Sequence, residues 1–325
     1  MTPLRVAAQR LAVLLGAVLV SAHVAAQTYP SKPVRIVVGF APGGSTDLAA
    51  RVLAPKLQEG WGQPVIVENR PGAGGAIAVD LAAKSPPDGQ LLAISAPGAL
   101  TINMHFAKMP YDPLKDLAPV MKLVKSPLVL AVNAATPYQS VKDLVDHAKA
   151  KPGALSFSSI GPFNLSFLAA ELLKHMTGID MVAVPYKGGA PASAAIASGE
   201  VQLGFMDTAG VLPFVQAGRV RLLATAESTR LATAPELPTI AEAGVPGYEA
   251  NSWLALVAAA GTPPEIIARV NAEFTRALKY PDVRESLMKA GLEPAPNSPA
   301  EARQMLRTEF EKWRNVVKDR GLKAE

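Results

Sequence analysis

Short apolar runs, separated by small-residue turns and by segments of helical period, set the rhythm of the first third of the chain. Val34-Arg35-Ile36-Val37-Val38 reads as a buried strand, Ala41-Pro42-Gly43-Gly44 as a tight turn, and Asp47 to Gln58 as a helix capped by Ser45, Thr46 or Asp47. Pro64 to Asn69 predicts a second strand, the run to Gly75 a turn, Ala76 to Lys84 a helix, and Leu91 to Ser95 a third strand ending in a Pro97-Gly98 loop. Strands alternating with helical segments of about ten residues predict βαβ units and a parallel sheet. The handedness of such units places every strand-to-helix loop on one edge of that sheet.

From Tyr111 to Asp116 the chain turns repeatedly, and Val120 to Val124 followed by Leu128 to Val132 predicts strand that leaves this unit. A second series follows. It comprises helix Val141 to Lys149, strand Leu155 to Ser158, loop Ser159 to Asn164, helix Leu165 to Thr177 and strand Met181 to Pro185. After these come turn Tyr186 to Gly189, helix Ala190 to Ser198, and strands Gln202 to Met206 and Val220 to Thr225. Two α/β units of like architecture predict two lobes and a cleft. Trp253 to Ala260 is one further strand, and three helical stretches close the chain, Pro263 to Lys279, Pro281 to Ala290 and Pro299 to Asp319. Three helices with so little strand cannot make a sheet of their own, so they are expected to cover the first lobe, with a two-strand hinge between lobes. The expected division is 27–127 with 251–325 as lobe 1, and 128–250 as lobe 2.

Residues 1–26 stand outside this pattern. Arg5 and Arg10 precede a short apolar run, Leu11 to Val20, and Val24-Ala25-Ala26 fits a cleavage site, which reads as a secretory signal peptide and a periplasmic destination. The run is shorter than the roughly 20 residues a membrane span needs. The 325 residues are 49% hydrophobic and 18% charged, enough apolar content for a substantial core. Cysteine is absent, which removes disulfides, thiolate chemistry and a lipid anchor built on cysteine. The formal charge of +5 falls to +3 without the two signal arginines, and the cations are mixed with acids, which disfavours nucleic acid as a partner.

Catalytic signatures are scarce. Pro42-Gly43-Gly44-Ser45-Thr46 lacks the lysine of a phosphate-binding P-loop, and His105, His147 and His175 are isolated, without metal-ligand spacing. No metal or cofactor is expected. A secreted hydrolase using Ser45 or Ser159 as nucleophile would need a base that neither has nearby in sequence. What does recur is a small loop rich in N–H groups between a strand and a helix. It appears at 40–47, at Pro71 to Gly75, at Ser158-Ser159-Ile160-Gly161 and at Lys187-Gly188-Gly189. The free N–H groups and positive dipole end of a helix start make each a seat for a carboxylate or phosphate. Candidate ligand contacts are therefore Phe40, Pro42, Gly43, Gly44, Ser45 and Thr46 on one side and Ser158, Ser159, Gly161 and Asn164 on the other, with Asp207 just past its strand as a further acceptor. Lys187 and Arg70 are the nearest cations, and Asp47 serves as a capping acid or a partner for a ligand amine.

Five stretches, in order along the mature chain, resemble one family. They are Gly39 to Asp47, Val67 to Gly75, Pro110 to Asp116, Val184 to Gly188 and Pro238 to Gly244, and they are similar to the Bug (TctC-like) receptors, solute-binding subunits of tripartite tricarboxylate transporters. The resemblance implies a two-lobed α/β periplasmic-binding-protein fold with a ligand cleft between the lobes and a small carboxylated solute. It also implies membrane transporter subunits as partners, in a protein expected to be monomeric. A receptor serving a sensor system instead of transport is the alternative it leaves open. The second-lobe loop departs from the family pattern. Ile160-Gly161-Pro162-Phe163-Asn164 replaces a more polar run, and Phe167 and Ala183 stand where the family usually has histidines. Fewer donors and an added aromatic wall predict an aromatic or singly carboxylated ligand in preference to citrate.

Overall fold

The computed structural model describes residues 29–160, 164–231 and 233–319. The signal peptide expected at 1–26 lies outside the described residues, as do Gly161, Pro162 and Phe163. The chain begins with β1 (Val34–Val38), whose residues are buried apart from Arg35, an ion-pair partner of Glu68. Helix α1 (Ser45–Trp61) follows, burying Leu53, Leu57 and Trp61 at four-residue spacing. Next come β2 (Val65–Asn69), α2 (Ala76–Ala83), β3 (Leu91–Ser95), β4 (Leu117–Lys125) and β5 (Leu128–Asn133). The second series is α3 (Val141–Ala150), β6 (Ser156–Ser159), α4 (Leu165–Thr177), β7 (Val182–Pro185), α5 (Gly189–Ser198), β8 (Leu203–Asp207), α6 (Thr208–Gln216) and β9 (Val220–Thr225). The chain then runs through β10 (Trp253–Ala259), α7 (Pro264–Ala277), α8 (Pro281–Lys289), the two-residue β11 (Glu293–Pro294) and α9 (Pro299–Asp319).

Among the described residues two sheets form, in the orders β11-β4-β10-β3-β1-β2 and β7-β6-β8-β5-β9. The expectation of parallel sheets holds only for the βαβ cores, β2-β1-β3 and β7-β6-β8. β10 runs antiparallel to β3 and β4, and β5 antiparallel to β8 and β9. These strands adjoin the crossings between lobes, so they enter each sheet without a helical crossover to reverse them. Helix α6 was absent from the pattern read above. Pro213 interrupts its interior, and Gly210 lies against Ser193 of α5.

The crossings are short. Ser126-Pro127 leads from β4 to β5, and the return passes through Ser252, whose carbonyl accepts the Ser126 N–H at 3.1 Å. Helices α7 and α8 pack in the first-lobe core through Ile267, Phe274 and Leu287. Helix α9 differs from the expectation: Leu306 packs in the first lobe, but Trp313 is buried in the second-lobe core with Phe157, Leu168 and Tyr248. The last helix thus straps the two lobes together. Its start is a capping box, with Ser298 accepting from Glu301 N–H while the Glu301 carboxylate accepts from Ser298 N–H.

Candidate functional site

The four small loops line one cavity. Its walls are Gly39, Phe40, Gly72 to Gly75, Ile160 and Pro185 to Lys187, and its volume is about 350 Å³. The lobes meet beside it. A Cβ added to Gly188 would stand 3.2 Å from the Ala41 nitrogen, one on Gly43 would stand 3.7 Å from the Ala190 Cβ, and one on Gly98 would reach 3.5 Å from the Asn164 Cα.

Three helix starts around this cavity have glycine at the cap position, where α6, α7 and α8, also without a side-chain cap, have Asp207, Pro263 and Tyr280. α1, α2 and α5 are preceded by Gly44, Gly75 and Gly188, and none receives a side-chain cap. By contrast α3, which is remote from these loops, is capped by Ser140 accepting from Asp143 N–H. A helix leaves its first N–H groups without intrahelical partners, so the glycine-capped starts of α1 and α5 present donors and positive dipole ends to whatever enters the space between them, while the Ala76 N–H that opens α2 is taken by the Ala73 carbonyl of the turn before it. This corrects the expected cap of α1. Ser45, Thr46 and Asp47 lie inside the helix, all buried, and Gly44 is the cap residue.

Asp47 instead braces the loop. Its carboxylate accepts from Gly43 N–H at 3.1 Å, from Arg51 Nε at 2.9 and 3.0 Å, and from Asn69 Nδ2 at 2.8 Å, while Asn69 also donates to the Phe40 carbonyl at 3.0 Å. Burial alone would raise this carboxyl, but the Arg51, Asn69 and Gly43 hydrogen bonds hold it below the usual aspartate range. Phe40 packs its ring over Gly75, where an added Cβ would come within 3.2 Å of the ring. Across the cleft, Ser45 Oγ donates to Asp207 Oδ2 at 2.5 Å, and Ser126 Oγ donates to Oδ1 at 3.0 Å. Burial pushes the Asp207 carboxyl up against the opposing pull of those two hydroxyls.

A family model described as "Tripartite tricarboxylate transporter family receptor" matches residues 49–322. The chain belongs to this family. Protein BugT of Bordetella pertussis is 37% identical over 308 residues, 94% of each chain. Among solved structures, an R. palustris protein with adipate matches at a TM-score of 0.87 and 37% identity, over 90% of this chain and 98% of that one. MatC from Rhodopseudomonas palustris with bound malate matches at 0.85 and 31%, over 89% and 100%. The periplasmic binding protein BugD matches at 0.86 and 28%, over 91% and 99%. The two-lobed fold implied by the five motifs is the fold of these relatives.

In this tripartite tricarboxylate transporter receptor the remaining candidate residues fall in different places. Ser158 belongs to β6, and its hydroxyl turns into the second lobe. It contacts Met206 Sδ at 3.6 Å and occupies the space a Cβ on Gly204 would take. Ser159 is buried at the end of the same strand. Asn164 caps α4 by accepting from Ser166 N–H at 2.7 Å, so its carbonyl oxygen has a structural partner. Pro42 and Gly43 are exposed at the loop tip, Lys187 reaches the cavity rim, and Arg70 pairs with Glu68. His105 hydrogen-bonds the Phe310 carbonyl at 3.0 Å, His147 packs edge-on to Tyr138, and His175 is an exposed residue of α4. Three contributors escaped the sequence reading: Asn69, Ser126 and Tyr186. Asn69 and Tyr186 lay within quoted motifs, whereas Ser126 carried no local signal.

Proposed function

We propose that this chain is an extracytoplasmic receptor that closes on a small carboxylate-bearing solute and delivers it to the membrane subunits of a tripartite tricarboxylate-type transporter. It works as a monomer in the periplasm after loss of residues 1–26. The observation that carries this reading is the pair of glycine-capped starts, of α1 and α5, around one cavity. Backbone donors fixed in this way bind a carboxylate without a charged side chain, and their strength depends on exclusion of water by closure. Among the described residues no helix is long and apolar enough to cross a membrane, in keeping with a receptor that needs separate membrane subunits. Catalysis has no part in this reading. The Ser45 hydroxyl is engaged by Asp207, and among the described residues no histidine or lysine amine is hydrogen-bonded to Ser45 or Ser159.

Relatives solved with adipate and malate support a carboxylate ligand, and the walls suggest what the rest of it is like. Phe40, Ile160 and Tyr186 face the same cavity as the N–H groups, which favours a carboxylate on an apolar or aromatic body over a tricarboxylate. A thermal-shift panel of adipate, malate, an aromatic monoacid and citrate tests this. The aromatic monoacid and adipate should raise the melting temperature more than citrate at equal concentration. A larger shift with citrate overturns the ligand class, and no shift with any of them overturns the receptor reading.

A further inference from the structure

Two residues at the cleft forgo the local role their type and position suggest. Asp207 is the residue before α6, where an aspartate ordinarily accepts an N–H from the first turn of its own helix, yet it makes no such bond. Ser45 opens α1 and its hydroxyl likewise leaves its own helix. Each reaches the other across the boundary between lobes, at 2.5 Å, and Ser126 in the crossing strand completes the carboxylate at 3.0 Å. Among the described residues no lysine, arginine or histidine pairs with Asp207, so these hydroxyls are the groups that compensate an enclosed carboxylate. The next residue repeats the pattern. Thr208 Oγ1 donates to the Gly291 carbonyl of the first lobe at 3.1 Å.

We propose that Ser45 and Asp207 form a latch that holds the lobes closed, with Ser126 fixing the carboxylate at the hinge, and that they position the α1 start over the ligand without touching it. This rests on the receptor reading above. Opening the cleft separates Ser45 from Asp207, because they belong to different lobes, but leaves Ser126 in place at the crossing. The latch bond is therefore made only in the closed form and adds to affinity by slowing reopening. A solute seated on the α1 N–H groups and the latch then strengthen each other, since both require the same approach of 40–45 to the second lobe.

The absence of cysteine makes a direct test available. Spin labels on Ile77→Cys in α2 and Val182→Cys in β7, both exposed and on opposite lobes, report the inter-lobe distance by pulsed electron resonance. In that background Ser45→Ala should lower the closed-to-open ratio by at least about tenfold, the scale of one hydrogen bond to a charged group. Asp207→Ala should act alike, the double variant should lose no more than either single, and Ser45→Thr should restore closure. Circular dichroism checks that each variant is folded. Ser45→Ala, a mild change in a first helical turn, carries the test even if Asp207→Ala unfolds. A Ser45→Ala distribution equal to that of the parent, additive losses in the double variant, or a parent without a closed population overturns the latch. Adding adipate to the labelled parent separates the two ideas. A response to adipate with no effect of Ser45→Ala rejects the latch alone. No response to adipate, malate or the aromatic monoacid, by distance or by melting temperature, rejects the receptor reading.

Discussion

A Cβ placed on Gly39 would lie 2.5 Å from the Cα of Gly75, so the backbone leaving β1 and the backbone opening α2 are in contact with no room between them. This contact brings two of the small loops to one cavity and seats Phe40 over Gly75. Neither partner can yield cheaply, because both are main chain. Gly39→Ala should cost about 1–3 kcal/mol by overpacking, and the forced shift of 72–75 should abolish most of the ligand response. Chemical denaturation and the thermal-shift panel measure the two effects. Full stability with wild-type ligand response would show that the loops are free to move apart.

Asn69→Ala removes a side chain that holds Asp47 and the Phe40 carbonyl at once. It should cost about 1–3 kcal/mol, because a buried carboxylate loses one of its donors. The sign of the pH dependence follows from Asp47, whose carboxyl is held below its ordinary value. Its contribution to stability is complete above the unfolded aspartate value of about 4 and is lost as pH falls through the lower folded value. Acid unfolding of Asn69→Ala should therefore begin at higher pH than that of the parent, as followed by circular dichroism.

Much of the fold was legible because its signals are local. Buried strands such as Val34–Val38 and the glycine-rich loops after them announce themselves within a few residues, and repetition of the loop pointed to one shared edge. The cap of α1 was misplaced because Ser45, Thr46 and Asp47 are all good capping types, whereas the glycine before them caps by leaving donors free. Ser158 closes the expected strand and also opens the small loop named as a ligand seat; the strand runs one residue further, to Ser159, and pairing opposite Gly204 with the alternation of a strand turns the Ser158 hydroxyl inward. The Ser45–Asp207 bond spans 162 positions, and the Asp47–Asn69 bond needs the register of β2 on β1 before it can be seen. Local pattern cannot supply such pairs; topology does.

Trp313 anchors the far end of α9 in the second-lobe core at 1% exposure, while Leu306 holds the same helix in the first. His105 and Lys312 reinforce this end through the Phe310 carbonyl at 3.0 Å and Glu249 at 3.1 Å. Trp313→Ala should cost about 3–5 kcal/mol, the usual penalty for emptying a large aromatic site. The loss should be local in hydrogen exchange. Amides from about Thr308 onward should lose protection while those around Leu306 keep theirs. Uniform loss along α9 would mean that the helix docks as one unit on a single lobe.

Glu227 accepts the Ser252 N–H at 3.2 Å in the return crossing and is hydrogen-bonded to the Leu128 backbone at the start of β5, so one carboxyl holds both strands of the hinge. Burial pushes it up to about 7, those backbone N–H groups pull it down, Glu249 raises it and Lys125 lowers it. At 9% exposure it is shielded enough for this shift to count in stability. Between the unfolded value of 4.5 and about 7 the folded chain binds the proton more tightly, so its stability falls as pH rises through that window. The full span of the decline is of order 3 kcal/mol. Glu227→Gln keeps a neutral acceptor for both N–H groups and should flatten the decline, leaving a variant more stable than the parent at pH 8 and about equal to it at pH 4. Melting temperatures of the two proteins from pH 4 to 8, at constant ionic strength, give the comparison. Parallel curves would show that the Glu227 carboxyl titrates in the hinge as it does in water, and that the two crossing strands are held by their own hydrogen bonds alone.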